Sequence, residues 1–175
     1  NGDSSRLAVG GDSAGGNIAA AMCLMAADRG GPEIAVQLLI YPVTDVNFKT
    51  VSYGENAEGF GLTKVTMEWY WEHYLASMED ASNPYAAPAQ AKSLAGQPPA
   101  LVITAEYDPL RDEGEAYAKR LSEAGVATPA TRYDGVIHGF FSMGAAVDKS
   151  VQAMDEASAA LRNAFAKAGT PSAAD

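Results

Sequence analysis

The 175 residues contain one cysteine, two histidines and two tryptophans. None of their apolar runs approaches the ~18 residues that a membrane-spanning helix needs. A single thiol, Cys23, excludes an internal disulfide, and its place among small helical residues (19–27) makes it a packing thiol rather than a nucleophile or ligand. With so few Cys and His, no cluster suggests a metal, and no metal or cofactor is expected. Basic residues are scarce: 12 Lys and Arg stand against 22 Asp and Glu, a formal net charge of −10. Such a surface repels phosphate backbones, so nucleic acid is not an expected partner. Repeats and low-complexity blocks are missing too. So are a signal peptide and an initiating Met, and a natural start upstream of Asn1 is expected. The location expected is cytoplasmic, with export and lipid anchoring left open.

What is present is globular. The chain is 47% apolar and 19% charged, at a length that suits one domain. Residues 6–10 predict a short buried strand. Ser13 to Arg29 predicts a helix stopped by Gly30-Gly31-Pro32. Val36 to Val43 predicts a strand buried on both faces. Residues 44–62 are polar and irregular. Thr63 can cap a helix that runs to about Met78. A strand is predicted at 100–105, a helix at 112–124 closed by Gly125, a strand at 128–133 and a helix at 148–167, with a frayed tail at 169–175. Strands alternating with helices imply α/β architecture, a mostly parallel sheet with helices on both faces. Chemistry in such sheets lies at the C-terminal strand ends.

The first strand leads into Gly10-Gly11-Asp12-Ser13-Ala14-Gly15-Gly16-Asn17. This holds Gly11-x-Ser13-x-Gly15 between a strand and a helix, the setting of a nucleophile elbow formed by Gly11, Asp12, Gly15 and Gly16. The turn is sharp enough to strain the serine backbone, and glycine two residues before and two after relieves the crowding. Ser13 then stands at a helix N-terminus, where negative charge is favoured. The Ala14 N–H can face an oxyanion. A small-residue turn that merely includes serine is the plainer alternative, and the flanking strand and helix argue against it.

A nucleophilic serine needs a base, and the base an orienting acid. His73 lies within a helix among Trp71, Glu72 and Tyr74 and reads as a surface or cap residue. His138, in Gly135-Val136-Ile137-His138-Gly139-Phe140 after the last strand, is the candidate base. Glu106, Asp108 and Asp112 all follow the third strand. Asp112 begins a helix, where a carboxylate is favoured in any case, and Glu106 can face a neighbouring loop. Asp108, before Pro109, is the choice of acid, and the order Ser13, Asp108, His138 is the order of hydrolase triads.

At these residues the sequence resembles the hormone-sensitive-lipase-like (bacterial family IV) carboxylesterases. The matching segments are residues 11–17, Tyr41-Pro42, residues 106–114 and residues 137–140. They span nearly the whole chain, and the acidic segment 106–114 is the most specific of them. The resemblance implies an α/β-hydrolase fold with Asp108 as the triad acid. It implies short to medium acyl esters as substrates, and residues 46–83 as part of a cap over the acyl pocket. That fits the aromatics Phe48, Tyr53, Phe60, Trp69, Tyr70, Trp71 and Tyr74. Some members pair through the last strand and helix, here 128–167, so a homodimer is compatible with the resemblance, though no residue requires it.

Members of that family also carry a His-Gly-Gly-Gly segment before the nucleophile, which supplies most of the oxyanion hole, together with earlier strands and a further cap segment. The 175 residues contain no His-Gly-Gly, and only four strands are predicted. The chain is therefore expected to be the C-terminal part of an α/β-hydrolase domain, with an open sheet edge and uncovered aromatics. The whole protein is expected to be an esterase, while these residues alone are expected to be nearly or wholly inactive, with Ala14 as their remaining donor. Two alternatives stand beside this: a non-catalytic binding or receptor protein on a hydrolase scaffold, and a partial gene product with no function of its own.

Overall fold

The computed structural model describes residues 3, 4 and 6–168, so the expected frayed tail lies outside the described residues. Four parallel strands, β1 (Ala8–Asp12), β2 (Val36–Ile40), β3 (Ala100–Tyr107) and β4 (Ala130–Ile137), form one sheet in the order β1-β2-β3-β4. Helix α1 (Ala14–Arg29) joins the first pair. Helices α2 (Val51–Glu55) and α3 (Lys64–Tyr74) lie between β2 and β3, α4 (Arg111–Glu123) precedes β4, and α5 (Asp148–Ala168) follows it.

Burial explains the layers. All five residues of β2 are buried, as are the first six of β3, as a strand covered on both faces demands. Alternate residues point to opposite faces. Leu39 and Val102 pack with Ala19, Ala20 and Leu24 of α1 and with Tyr117 and Leu121 of α4. Leu38, Ile40, Leu101 and Ile103 pack with Ala153 and Ala157 of α5. Helices α1 and α4 therefore cover one face and α5 the other, the α/β architecture that the sequence predicts.

Several boundaries differ from the predicted ones, each for a local reason. Strand β1 begins at Ala8 rather than Arg6, because Arg6 turns back to bond Asp3 through both its amide and its guanidinium. Strand β2 stops at Ile40, not Val43: Tyr41 has φ 34° and Pro42 offers no N–H. The stretch predicted to be irregular contains α2, one turn capped by the Thr50 side chain. Thr63 does cap α3, accepting from the Thr66 amide at 3.1 Å. That helix ends at Tyr74 because Leu75 is extended, and Ser77 with Asp80 opens a separate 3-10 turn at Met78–Ser82. Strand β4 begins at Ala130 and continues to Ile137, four residues past the predicted end. A bulge near Ala105/Tyr107 and Gly135 (φ 71°) absorb the extra length.

The strand ends set the site. Ser13, Asp108 and His138 are each the first residue beyond a strand, namely β1, β3 and β4. Strands β1 and β3 are separated by β2, so Ser13 and Asp108 stand about two strand spacings, ~10 Å, apart. A histidine returning from β4 can bridge that gap. Gly139 (φ 84°) and the 3-10 turn at Phe140–Ser142 provide the return.

Leu39 is 0% exposed between α1 and β3, so Leu39→Ala is expected to lower unfolding free energy by about 2–5 kcal/mol. Thr63→Ala, which removes only a cap, should lower it by about 1 kcal/mol. Urea titration followed by far-UV circular dichroism measures both. Equal losses at the two sites would contradict the core assignment.

Candidate active site

Ser13 is the residue before α1, with φ 56° and ψ −119°. A positive φ at a non-glycine residue is strained, and the strain is held by hydrogen bonds. The Ser13 amide donates to the Ile40 carbonyl at 2.9 Å. The Ser13 carbonyl accepts from the Asn17 amide at 3.1 Å and from the Val43 amide at 3.3 Å. Its hydroxyl makes no capping bond to the helix, so it is left for other chemistry.

The glycines around it are not equivalent. A Cβ at Gly11 would lie 2.4 Å from the Gly15 carbonyl carbon, and one at Gly16 would lie 2.8 Å from Pro42 Cβ. A Cβ at Gly15 would meet nothing within 4 Å. The expectation that crowding requires glycine on both sides of the serine therefore holds for Gly11 and not for Gly15. The second required glycine is Gly16, because the chain leaving β2 presses on α1 there.

The three candidate side chains meet. His138 Nε2 lies 2.9 Å from Ser13 Oγ, and His138 Nδ1 lies 2.7 Å from Asp108 Oδ2. An ionised carboxylate only accepts, so Nδ1 carries the proton toward Asp108 and Nε2 is free to accept from the Ser13 hydroxyl. Asp108 is 0% exposed. Its Oδ1 accepts from the Leu110 amide at 2.8 Å, and its backbone carbonyl accepts from Asn56 Nδ2 at 3.3 Å. His138 is steadied from the side by Tyr41, whose ring centroid is 4.6 Å away. Burial and then Asp12 push the Tyr41 hydroxyl above its ordinary range, so it stays protonated and reaches Asp12 Oδ2 at 3.4 Å.

The other acids have separate partners. Asp112 lies in the first turn of α4 and accepts from the Ser52 amide at 2.7 Å and from Arg111 Nε at 3.0 Å. Burial opposes its charge, but these donors outweigh burial and hold its carboxyl below the usual range. Glu106 turns to β4 and accepts from the Gly135 amide at 2.5 Å, where it pins the bulge. His73 is on the surface: its Nδ1 lies 2.8 Å from the Trp69 carbonyl, and its ring lies tilted against Trp69 with centroids 4.0 Å apart.

Beside Ser13 lies a mostly apolar cavity of about 380 Å³. Ala14, Asn17, Ile18 and Val43 line it from the sheet side, and Met67, Tyr70, Trp71 and Tyr74 of α3 from the other. Trp69 is not part of this lining. Several supporting residues escape sequence reasoning. Asn17 is buried, and its side-chain amide donates to the carbonyls of Val43 and Ala86 at 2.9 and 2.8 Å. Ser52 donates from its hydroxyl to the Pro109 carbonyl at 2.7 Å. Their partners lie 26–69 residues away in sequence, so no local signal marks them.

A family model described as the alpha/beta hydrolase fold matches residues 1–142. The carboxylic ester hydrolase LipN of Mycobacterium tuberculosis is 43% identical over 162 residues, which cover 90% of this chain and 43% of that protein. An ethyl acetate hydrolase of Pseudomonas putida is 37% identical over 149 residues, 85% of this chain and 47% of that protein. One of two fungal esterases from Rhizomucor miehei superposes with a TM-score of 0.91 at 43% identity, covering 95% of this chain and 52% of that structure. The chain thus spans about half the length of the relatives it matches. Among the described residues, no helix is long and apolar enough to cross a membrane.

The glycine geometry makes a sharp contrast. Gly11→Ala must displace backbone and is expected to destabilise the protein by about 3 kcal/mol or more. Gly15→Ala adds a methyl in open space on a helix and should change stability by no more than about 1 kcal/mol, toward greater stability. Thermal unfolding of the two variants distinguishes them, and comparable losses in both would refute the asymmetry.

Proposed function

Since the chain belongs to the α/β-hydrolase fold family, in its hormone-sensitive-lipase-like branch, we propose that it supplies the nucleophile, base and acid of a carboxylic ester hydrolase. The carrying observation is the unbroken pair of hydrogen bonds from Ser13 through His138 to buried Asp108, opening beside an apolar cavity. In the reaction Ser13 Oγ attacks the ester carbonyl while His138 Nε2 takes its proton. Asp108 holds the imidazole tautomer and stabilises the imidazolium. The alcohol leaves with the proton returned by His138, and water then releases the acid from the acyl-enzyme by the same steps.

The Ala14 N–H, at the positive end of α1, is the oxyanion donor within these residues. The remaining donors belong to the His-Gly-Gly-Gly segment that the family resemblance implies and that the 175 residues do not contain. Removing one such donor typically lowers turnover by ~10²–10³, so the 175 residues alone are nearly inactive in this reading. Residues 46–83 serve as cover for the acyl pocket. Short to medium acyl groups are the proposed substrates, and the Pseudomonas putida relative's name, ethyl acetate hydrolase, supports the short end of that range. A binding protein that had lost catalysis would have no need of a complete serine–histidine–aspartate chain.

Hydrolysis of p-nitrophenyl butyrate tests this, in the chain extended upstream to the length of its relatives. Ser13→Ala should abolish turnover, and Asp108→Asn should lower kcat by ~10⁴ while the fold is kept. The 175-residue chain should be slower than the extended one by at least ~10². Undiminished hydrolysis by the extended Ser13→Ala variant would remove Ser13 as nucleophile.

A further inference from the structure

Glu113 takes no part in the chemistry above, yet it is a buried acid, 4% exposed, in the first turn of α4. Its Oε1 accepts from the Thr44 amide at 2.7 Å and the Asp45 amide at 3.3 Å. Its own backbone carbonyl accepts from the Thr44 hydroxyl at 3.0 Å. Thr44 and Asp45 continue directly from Val43, whose amide donates to the Ser13 carbonyl and whose carbonyl accepts from Asn17. On the other side, the Gly114 amide donates to the Leu110 carbonyl at 3.0 Å, and the Leu110 amide donates to Asp108 Oδ1 at 2.8 Å. Ser13 and Asp108 are thus joined by a second path of bonds that does not pass through His138.

We propose that Glu113 is a positioning residue that ties the chain leaving β2 to the first turn of α4, and so holds Ser13 and Asp108 at the separation that His138 bridges. The proposal rests on the assignment of Ser13, His138 and Asp108 as the triad. The separation spans the end of β2, and the segment leaving β2 is the material between the two residues. An anchor on that segment sets the gap, and the Glu113 side chain reaches it with two amide contacts. Burial raises the Glu113 carboxyl well above its usual range, and Asp45 and Asp108 add to this while the two amides offset part of it. Its other oxygen, Oε2, has no hydrogen-bond partner among the described residues. Glutamine keeps a carbonyl oxygen for the two amides, with an amide nitrogen at the Oε2 position. Aspartate keeps the acid but withdraws it by one methylene.

The test is proton NMR of the uniformly ¹⁵N-labelled chain, extended upstream to the length of its relatives, which does not depend on turnover. Wild type and Glu113→Gln are expected to show the downfield His138 Nδ1 proton bonded to Asp108. Glu113→Ala, at a temperature where circular dichroism shows it folded, is expected to lose that resonance and to exchange its Leu110 amide faster. Glu113→Asp gives the same comparison should the alanine variant not fold. Leu121→Ala, a core truncation at the far end of α4, should lower stability and leave the resonance in place. Retention of the resonance in folded Glu113→Ala or Glu113→Asp overturns the proposal, as does its loss in Glu113→Gln or in Leu121→Ala. A wild-type chain without the resonance would instead remove the triad assignment, and the proposal with it.

Discussion

The backbone at Gly11 runs so close to Gly15 that a methyl group between them has no room, and the rest of the C-terminal sheet edge is arranged around that approach. It holds Ser13 at a positive φ and aims α1 across the sheet. The same closeness brings α1 onto the chain leaving β2, where Gly16 meets Pro42. Pro42 also touches α4: a Cβ at Gly114 would lie 3.5 Å from Pro42 Cδ and 3.2 Å from Thr104 Cγ2. One proline thus sits between two helices, each of which presents a glycine to it. The residue before it, Tyr41, takes φ 34° and lays its ring beside His138. Strain at Ser13 and at Tyr41 is tolerated because buried contacts over-determine both positions.

The electrostatics follow from how the acids at this edge are treated. Four carboxyl groups, Asp45, Asp108, Asp112 and Glu113, are gathered close to one another. If all were buried, charged and unpaired they could not coexist. Asp112 is held charged by Arg111 and the Ser52 amide. Asp45 bonds outward, accepting from Gln90 at 2.7 Å and from the Val46 amide at 2.9 Å. Burial lifts Glu113 toward its neutral form. Asp108 is left with the Leu110 amide and the imidazole, a setting in which its charge acts on His138 rather than on solvent.

Helix α3 connects the fold to the cavity by presenting different faces. Met67 and Trp71 are buried against Tyr53, Val43 and Leu110, which anchors the helix to the acid loop. Tyr70 and Tyr74 line the space beside Ser13 while remaining half exposed, and Trp69 carries His73 on the outer side. A run of aromatics at helical spacing can be core or pocket wall, and here neighbouring residues are each.

The layer order, the parallel sheet and the strand–turn–helix setting of Ser13 were legible because they rest on local signals: apolar runs of strand length, glycine stops and a five-residue elbow. His138 and Asp108 were legible from their places just beyond strands, and the structure brings both within hydrogen-bond distance of their partners. What was not legible depends on residues far apart in sequence. The short helix α2 is a single turn, too short for periodicity to reveal, and it is fixed by Ser52 and Asn56 bonding the loop around Asp108. The length of β4 follows from a bulge pinned by Glu106. That Gly16 rather than Gly15 is sterically required is decided by Pro42, 26 positions away. The sequence by itself determined the elements and the chemical groups at their ends, because turn chemistry and hydrophobic period act over a few residues. Only the tertiary structure decided which glycines are crowded, which acids are charged and which aromatics face the cavity, because each depends on contacts between segments that folding alone brings together.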